Sequence, residues 1–273
     1  MNSSKFRFVA LSVVKHAYVP RAMAAHPRFE PVVVADDPDQ PDWVHERNEL
    51  FAQEFNIPYI RDVGRAIADF GAQVAVVSSE AERHCDLSVR AANAGLHIVQ
   101  DKPMSNRVSE CDRVVEAVER NGVKFLLWNR NYLPALVQAR QAVESGKIGT
   151  PYAIHVDFYF AKDAGPRIGE GSPEPPPPSW EPFGELSIEG IYPLAYISYL
   201  VGSPVTTVFA CTSSHFFQRY RDYGIEDLAS LSLQLADGTL ASICLGRIGQ
   251  ASHPDLGELT LRIVGSEGNV VIA

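Results

Sequence analysis

From residue 6 to about residue 128, short apolar runs alternate with stretches of helical period. Phe6 to Leu11, Val32 to Ala35, Val74 to Val77, Leu96 to Val99 and Val123 to Trp128 are predicted strands, with few polar positions. That is the pattern of strands buried on both faces. Ala17 to Ala25, Trp43 to Phe55, Val63 to Phe70 and Ala81 to Ala94 are predicted helices. In Trp43 to Phe55, Val44, Arg47, Phe51 and Phe55 share one side. A fifth helix carries Val108, Cys111, Val115 and Val118 at i, i+3, i+7 and i+10, and ends at Asn121-Gly122. Gly71 and Gly95 follow two of the other helices, the position that favours glycine.

The grammar changes near residue 129. Leu136 to Ser145 is a predicted helix ended by Gly146. Tyr152 to Phe160 alternates, with Ile154, Val156, Phe158 and Phe160 facing a core and His155, Asp157 and Tyr159 facing away. Ala161 to Phe183 is a predicted loop, stiffened by Pro175 to Pro178. A helix from Pro193 to Val201 follows. Val205 to Thr212, Leu228 to Leu235, Thr239 to Leu245, Glu258 to Val264 and Val270 to Ile272 are predicted strands, with Asp237-Gly238 as a hairpin turn. Two domains are expected: residues 1–128, an α/β Rossmann-like unit of dinucleotide-binding type, and residues 129–273, an α+β unit with an open, mainly antiparallel sheet.

Composition narrows the partners. Acidic residues outnumber basic ones 33 to 24, a formal charge of −9, which disfavours nucleic acid or an anionic membrane as the main partner. Cys85, Cys111, Cys211 and Cys244 form no C-x-x-C pair and no zinc-ligand spacing with His, so no metal is expected and the thiols read as reduced. The apolar run Phe8 to Val14 is cut short by Lys15 and His16, against a signal peptide, and no run reaches the ~18–20 residues of a membrane span. A cytoplasmic location is the expectation.

The first candidate site is Gln100-Asp101-Lys102-Pro103, where the strand Leu96 to Val99 runs out. Ligands of open α/β sheets bind outside the carboxyl ends of the strands. A Lys beside an acid and a Pro at that place is a site candidate, or else an ordinary surface loop.

Five landmarks in order carry a family resemblance. They are Ser79 with His84, Asp101-Lys102-Pro103, Asn129-Arg130-Asn131-Tyr132-Leu133-Pro134, Ser145-Gly146-Lys147-Ile148-Gly149, and Trp180 with Gly184 to Pro193. Together they resemble the glucose–fructose oxidoreductase/inositol dehydrogenase (Gfo/Idh/MocA) family, whose Glu-Lys-Pro motif appears here with Asp for Glu. The resemblance implies an oxidoreductase that passes a hydride between NAD or NADP and a secondary alcohol of a sugar, cyclitol or related polyol. It implies a cofactor site built from Ser12, Lys15, Asp36, Ser79, His84, Asp101, Lys102, Asn129 and Arg130. Substrate contacts would come from His155, Asp157, Trp180 and Glu189.

Three departures bear on that expectation. A dinucleotide loop needs glycines to approach the pyrophosphate, yet Ala10 to Lys15 has none and the first glycine is Gly64. Val13 and Val14 would resist a positive φ. Lys15 either neutralises a phosphate by charge or is a solvated loop residue with no nucleotide bound. Asp36 either accepts from a ribose hydroxyl, favouring NAD, or is a turn residue before Pro38. Second, the family's Asp and His positions hold Ile188 and Tyr192. An Ile moves no proton; Tyr192, at a helix start where the dipole favours an anion by ~0.3–1 kcal/mol, could pair with Lys102 as the acid–base couple, or could be a buried aromatic. Glu185 and Glu189 are spare carboxylates there, and His16, His97 and His215 read as structural. Third, relatives usually continue beyond Asn269 to Ala273, so a homo-oligomer through the second sheet is expected. The competing reading keeps the fold but loses the cofactor, giving a non-redox lyase, isomerase or hydrolase, or a binding or regulatory subunit.

Overall fold

The computed structural model describes residues 5–105, 107–161, 183–248 and 259–273. The Pro175 to Pro178 loop and Trp180 lie outside the described residues. Two compact units emerge, one up to Trp128 and one from Asn129 on.

In the first unit, β1 (Phe6–Val13), β2 (Phe29–Ala35), β3 (Tyr59–Ile60), β4 (Val74–Ser78), β5 (His97–Gln100) and β6 (Phe125–Leu127) form one parallel sheet in the order β3-β2-β1-β4-β5-β6. The order reverses between β1 and β4, the crevice where such sheets bind ligands. All five residues of β4 are buried, because both sheet faces are covered. On one face α1 (Tyr18–Ala25) and α2 (Asp42–Phe55) contribute Val19, Met23, Phe51 and Ala52. On the other, α3 (Val63–Asp69), α4 (His84–Asn93) and α5 (Val108–Asn121) contribute Val63, Ala66, Leu87, Ala91 and Ala117.

Several local expectations are corrected. The two-residue β3 is too short to leave a pattern in the sequence. The helix expected over Ala81 to Ala94 opens as a single 3-10 turn, Ala81–Arg83, before α4 begins. On α5 the buried residues are Val114 and Ala117, while Val108 (77% exposed) and Val115 (47%) face out. A spacing rule finds an apolar stripe but does not fix its phase when valines sit on two sides. His97 is exposed and accepts at Nδ1 from the Lys124 amide (3.1 Å), so it does not pack inside.

The second unit contains α6 (Pro134–Glu144), β7 (Pro151–Ala161), α7 (Glu185–Glu189), α8 (Ile191–Val201), β8 (Val205–Ser213), α9 (Gln218–Tyr223), β9 (Leu228–Leu235), β10 (Leu240–Ile248), β11 (Thr260–Gly265) and β12 (Asn269–Ile272). Its sheet runs β12-β11-β7-β10-β9-β8; β7 and β10 pair parallel and the other neighbours antiparallel. The β9–β10 turn is the expected one: Gly238 takes φ +88° and the Asp237 carboxylate accepts from the Thr239 amide. Leu136 of α6 and Tyr192, Tyr196, Ile197 and Leu200 of α8 pack with Ile154, Val156, Phe158 and Phe160 of β7. Each such large apolar side chain contributes ~1.5–3 kcal/mol on burial. The opposite face exposes Phe209, whose cross-strand partner is Ser232.

Candidate active site

The carboxyl ends of β1, β4 and β5 converge on a dense polar network. Asp101 follows β5, and its amide donates to the Val77 carbonyl beside it on β4 (2.9 Å). One carboxylate oxygen accepts from the Lys102 amide (2.8 Å) and the other lies 2.5 Å from Nδ1 of His16. Burial lowers the His16 pKa, so the neutral ring donates Nδ1–H to Asp101. Burial alone would raise Asp101, but His16 and Lys15 hold its carboxyl below the ordinary range. Lys15 Nζ donates to the Lys102 carbonyl (3.2 Å), so the loop after β1 is tied at two points to the loop after β5. Lys102 itself is 2% exposed. A buried ammonium is rare unless it has work or partners.

His84, fully buried at the start of α4, supports the same loop. Its Nδ1 lies 2.8 Å from the Pro103 carbonyl and its Nε2 lies 3.0 Å from the Ser79 carbonyl. Burial lowers its pKa to about 4. The neutral ring donates to one carbonyl at a time and spans the loops after β4 and β5. Its place is under those loops. Ser79 is also buried, its hydroxyl donating to the Glu80 carbonyl (3.0 Å).

The end of the site assigned to a dinucleotide's ribose and pyrophosphate is filled by the chain itself. Ser12 takes φ +60°, so the left-handed turn falls on it and not on Val13 or Val14, which the sequence singled out. The Val13 amide donates to Asn48 Oδ1 (2.6 Å), and the Val14 and Lys15 amides both donate to the Ser78 carbonyl (3.1 and 3.2 Å). The backbone donors that would meet a pyrophosphate are therefore engaged. Asp36 is 0% exposed. Its Oδ1 accepts from the Asp37 amide and Arg83 Nη1 (2.9 and 2.6 Å), its Oδ2 from Asn48 Nδ2 and Arg83 Nη2 (2.9 and 3.3 Å). Burial would raise this carboxyl, but Arg83 holds it below the usual range. Arg83 also donates to Ser12 Oγ (2.9 Å) and to Glu80 (2.8 and 3.0 Å). With these side chains as they stand, the ribose and pyrophosphate end does not fit a dinucleotide. Arg83 and Asn48 escaped the sequence reading, and His16 was read there only as structural; no spacing rule marks them, although Arg83 directly precedes the motif His84.

In the second unit, Tyr192 is 1% exposed within the core. Its ring lies 5.5 Å from that of Phe158 and stacks on Tyr196 at 6.4 Å, and the Arg130 guanidinium sits 4.8 Å from its centroid. Asn129 Oδ1 accepts from the Asn131 amide (2.9 Å), closing a turn. His155 and Asp157 project from β7 away from that core, where His155 meets Ser242 (2.7 Å). Glu189 and Tyr192 belong to the helix-covered side. The expected substrate set is thus split across two faces of one sheet, as the alternation of β7 requires.

A further cluster was missed. Glu185 is 0% exposed; its Oε1 accepts from Tyr220 Oη (2.6 Å) and Arg247 Nε (2.7 Å). Its Oε2 has no hydrogen-bond partner among the described residues. Glu189 Oε1 lies 3.7 Å from Arg247 Nη2. Burial, and then Glu189, raise the Glu185 pKa, with Arg247 and Tyr220 opposing.

Comparison with known proteins agrees with this architecture. Residues 14–128 match the model of the oxidoreductase family with an NAD-binding Rossmann fold, and residues 136–271 match the Gfo/Idh/MocA C-terminal domain. The chain is 32% identical over 118 residues to the inositol 2-dehydrogenase of Salmonella typhimurium, covering 42% of this chain and 34% of that protein. It is 25% identical over 213 residues to the myo-inositol 2-dehydrogenase of Thermotoga maritima, covering 77% and 59%. The chain thus spans between a third and three fifths of these relatives. Its fold is similar to that of a myo-inositol dehydrogenase from Corynebacterium glutamicum (TM-score 0.80, 20% identity, covering 98% of this chain and 75% of that one). Two models of one family, matched in order along nearly the whole chain, place this protein in the Gfo/Idh/MocA family.

Proposed function

We propose that the chain is an oxidoreductase that moves a hydride between a nicotinamide cofactor and a secondary alcohol of a sugar, cyclitol or related polyol. The observation that carries this is Lys102, buried at the carboxyl end of β5 with its loop fixed by Asp101, His16, Lys15 and His84. An ammonium carried on a loop fixed this way stabilises an alkoxide and exchanges a proton with the hydroxyl being oxidised. Tyr192, packed between Phe158, Tyr196 and Arg130, serves the core, so the proton chemistry rests on Lys102. The inositol dehydrogenases among the relatives support a cyclitol-like substrate.

The second reading is a non-redox enzyme or a binding subunit on the same fold. The engaged amides of Val13, Val14 and Lys15 favour it. Titration with NADH and with NADPH, followed by energy transfer from tryptophan, decides between the two. A saturable response to either supports the oxidoreductase; no response up to millimolar concentration removes it. We also infer a homo-oligomer in which a second copy covers the open face of the second sheet, where Phe209 (67%) stands exposed.

A further inference from the structure

A carboxylate at the end of the second strand is the group that receives ribose hydroxyls in dinucleotide-binding sheets. Here Asp36 holds that place, but all four of its acceptor positions are filled: two by Arg83 and one each by Asn48 and the Asp37 amide. The same guanidinium reaches Ser12 Oγ, at the left-handed turn that ends β1, and Glu80, on the loop after β4. One side chain thus ties together the ends of β1, β2 and β4, where a ribose and its neighbouring phosphates would lie. Its own side chain is 21% exposed, so it forms the surface of the site there, while Asp36 beneath it is sealed off at 0%.

We propose that Arg83 is an internal plug: its guanidinium stands in for the ribose of a nicotinamide dinucleotide on Asp36 and Ser12, and competes with it. A nucleotide binds in full only when the fork has left Asp36. An equilibrium of that kind divides the intrinsic affinity by the fraction of molecules in the open state. With the plug in place in nine molecules of ten, apparent affinity falls by about tenfold, or about 1.4 kcal/mol. Glu80 is the counter-charge that receives the displaced guanidinium. The proposal rests on the oxidoreductase reading only in its choice of ligand.

The test compares NADH affinity, by calorimetry, in the wild type, Arg83→Gln and Arg90→Gln. Arg90 pairs with Asp37 through a two-pronged contact (2.7 and 2.9 Å), so its variant makes the same change in net charge one residue away from Asp36. Arg83→Gln tightens NADH binding tenfold or more and Arg90→Gln leaves it within twofold. Equal affinity in the wild type and Arg83→Gln, weaker binding in Arg83→Gln, or equal tightening by both variants overturns the plug and leaves the oxidoreductase reading standing. Binding by Arg83→Gln alone upholds the plug and removes the reading for the natural chain. No binding by any of the three removes both. Should Arg83→Gln fail to fold, the side-chain Nη–H resonances of wild-type Arg83, which donate to Asp36 and Ser12, decide: they shift on saturation with NADH if the fork leaves, and unmoved resonances at saturation overturn the proposal.

Discussion

Arg83 and Asp36 make the sharpest residue-scale case. Removing the guanidinium altogether leaves a buried carboxylate with no cation beside it, facing Asn48, Ser12 and one amide. Arg83→Ala is expected to lower unfolding free energy by about 3 kcal/mol, the scale for orphaning a buried charge, measured by urea denaturation. His84 gives a pH signature. A histidine whose folded pKa lies below its unfolded value takes up its proton more readily when unfolded. Its contribution is therefore complete above about pH 6.5 and lost as pH falls toward about 4. The window amounts to about 3 kcal/mol. Asp101 and Asp36, held low, act in the same direction at lower pH: their contribution is present above the ordinary carboxylate range and is lost as pH falls through their folded values. His84→Gln should flatten the stability curve between pH 4 and 6.5; a variant that follows the wild-type slope there would show that His84 is not its source.

Among the elements, the longer strands were legible because burial on both sheet faces leaves an unmistakable apolar run, as in β4, and because β7 alternates from Ile154 to Phe160. The phase of α5 was not, since Val108 and Val115 mimic a stripe that Val114 and Ala117 form. Val115→Lys is accordingly expected to change stability by less than about 0.5 kcal/mol, and Val114→Lys to prevent or severely weaken folding. Thermal melts of the two variants in parallel settle the face. The junction of α7 and α8 was legible as a motif but not as packing. A Cβ on Gly190 would stand 2.3 Å from the Leu186 carbonyl oxygen, so Gly190→Ala should cost about 1–3 kcal/mol through forced backbone movement. Glu185 was legible as a spare carboxylate, but its cluster with Arg247 and Tyr220 was not, because those partners come from elements far apart in sequence and carry no motif.

For the whole molecule, order along the chain was the most informative signal: weak landmarks in sequence gave the family, and the two sheets bear out the architecture. Hydrogen-bond partners were not legible, and they are what separates this site from the family expectation. Lys102 sits in a loop fixed on four sides, while the place reserved for a ribose is already taken. The exposed sheet face belongs to this scale too. Phe209→Asp should shift sedimentation from oligomer to monomer, and a wild type that sediments as a monomer would end that inference. The central claim is that Lys102 handles the proton of the alcohol undergoing oxidation. The direct measurement is the turnover of a cyclitol panel with NAD or NADP by the wild type and Lys102→Ala, each with its cofactor affinity. The account predicts a loss of about 10²–10⁴ in turnover with cofactor affinity kept within a few-fold. A Lys102→Ala variant that turns over at the wild-type rate would contradict it.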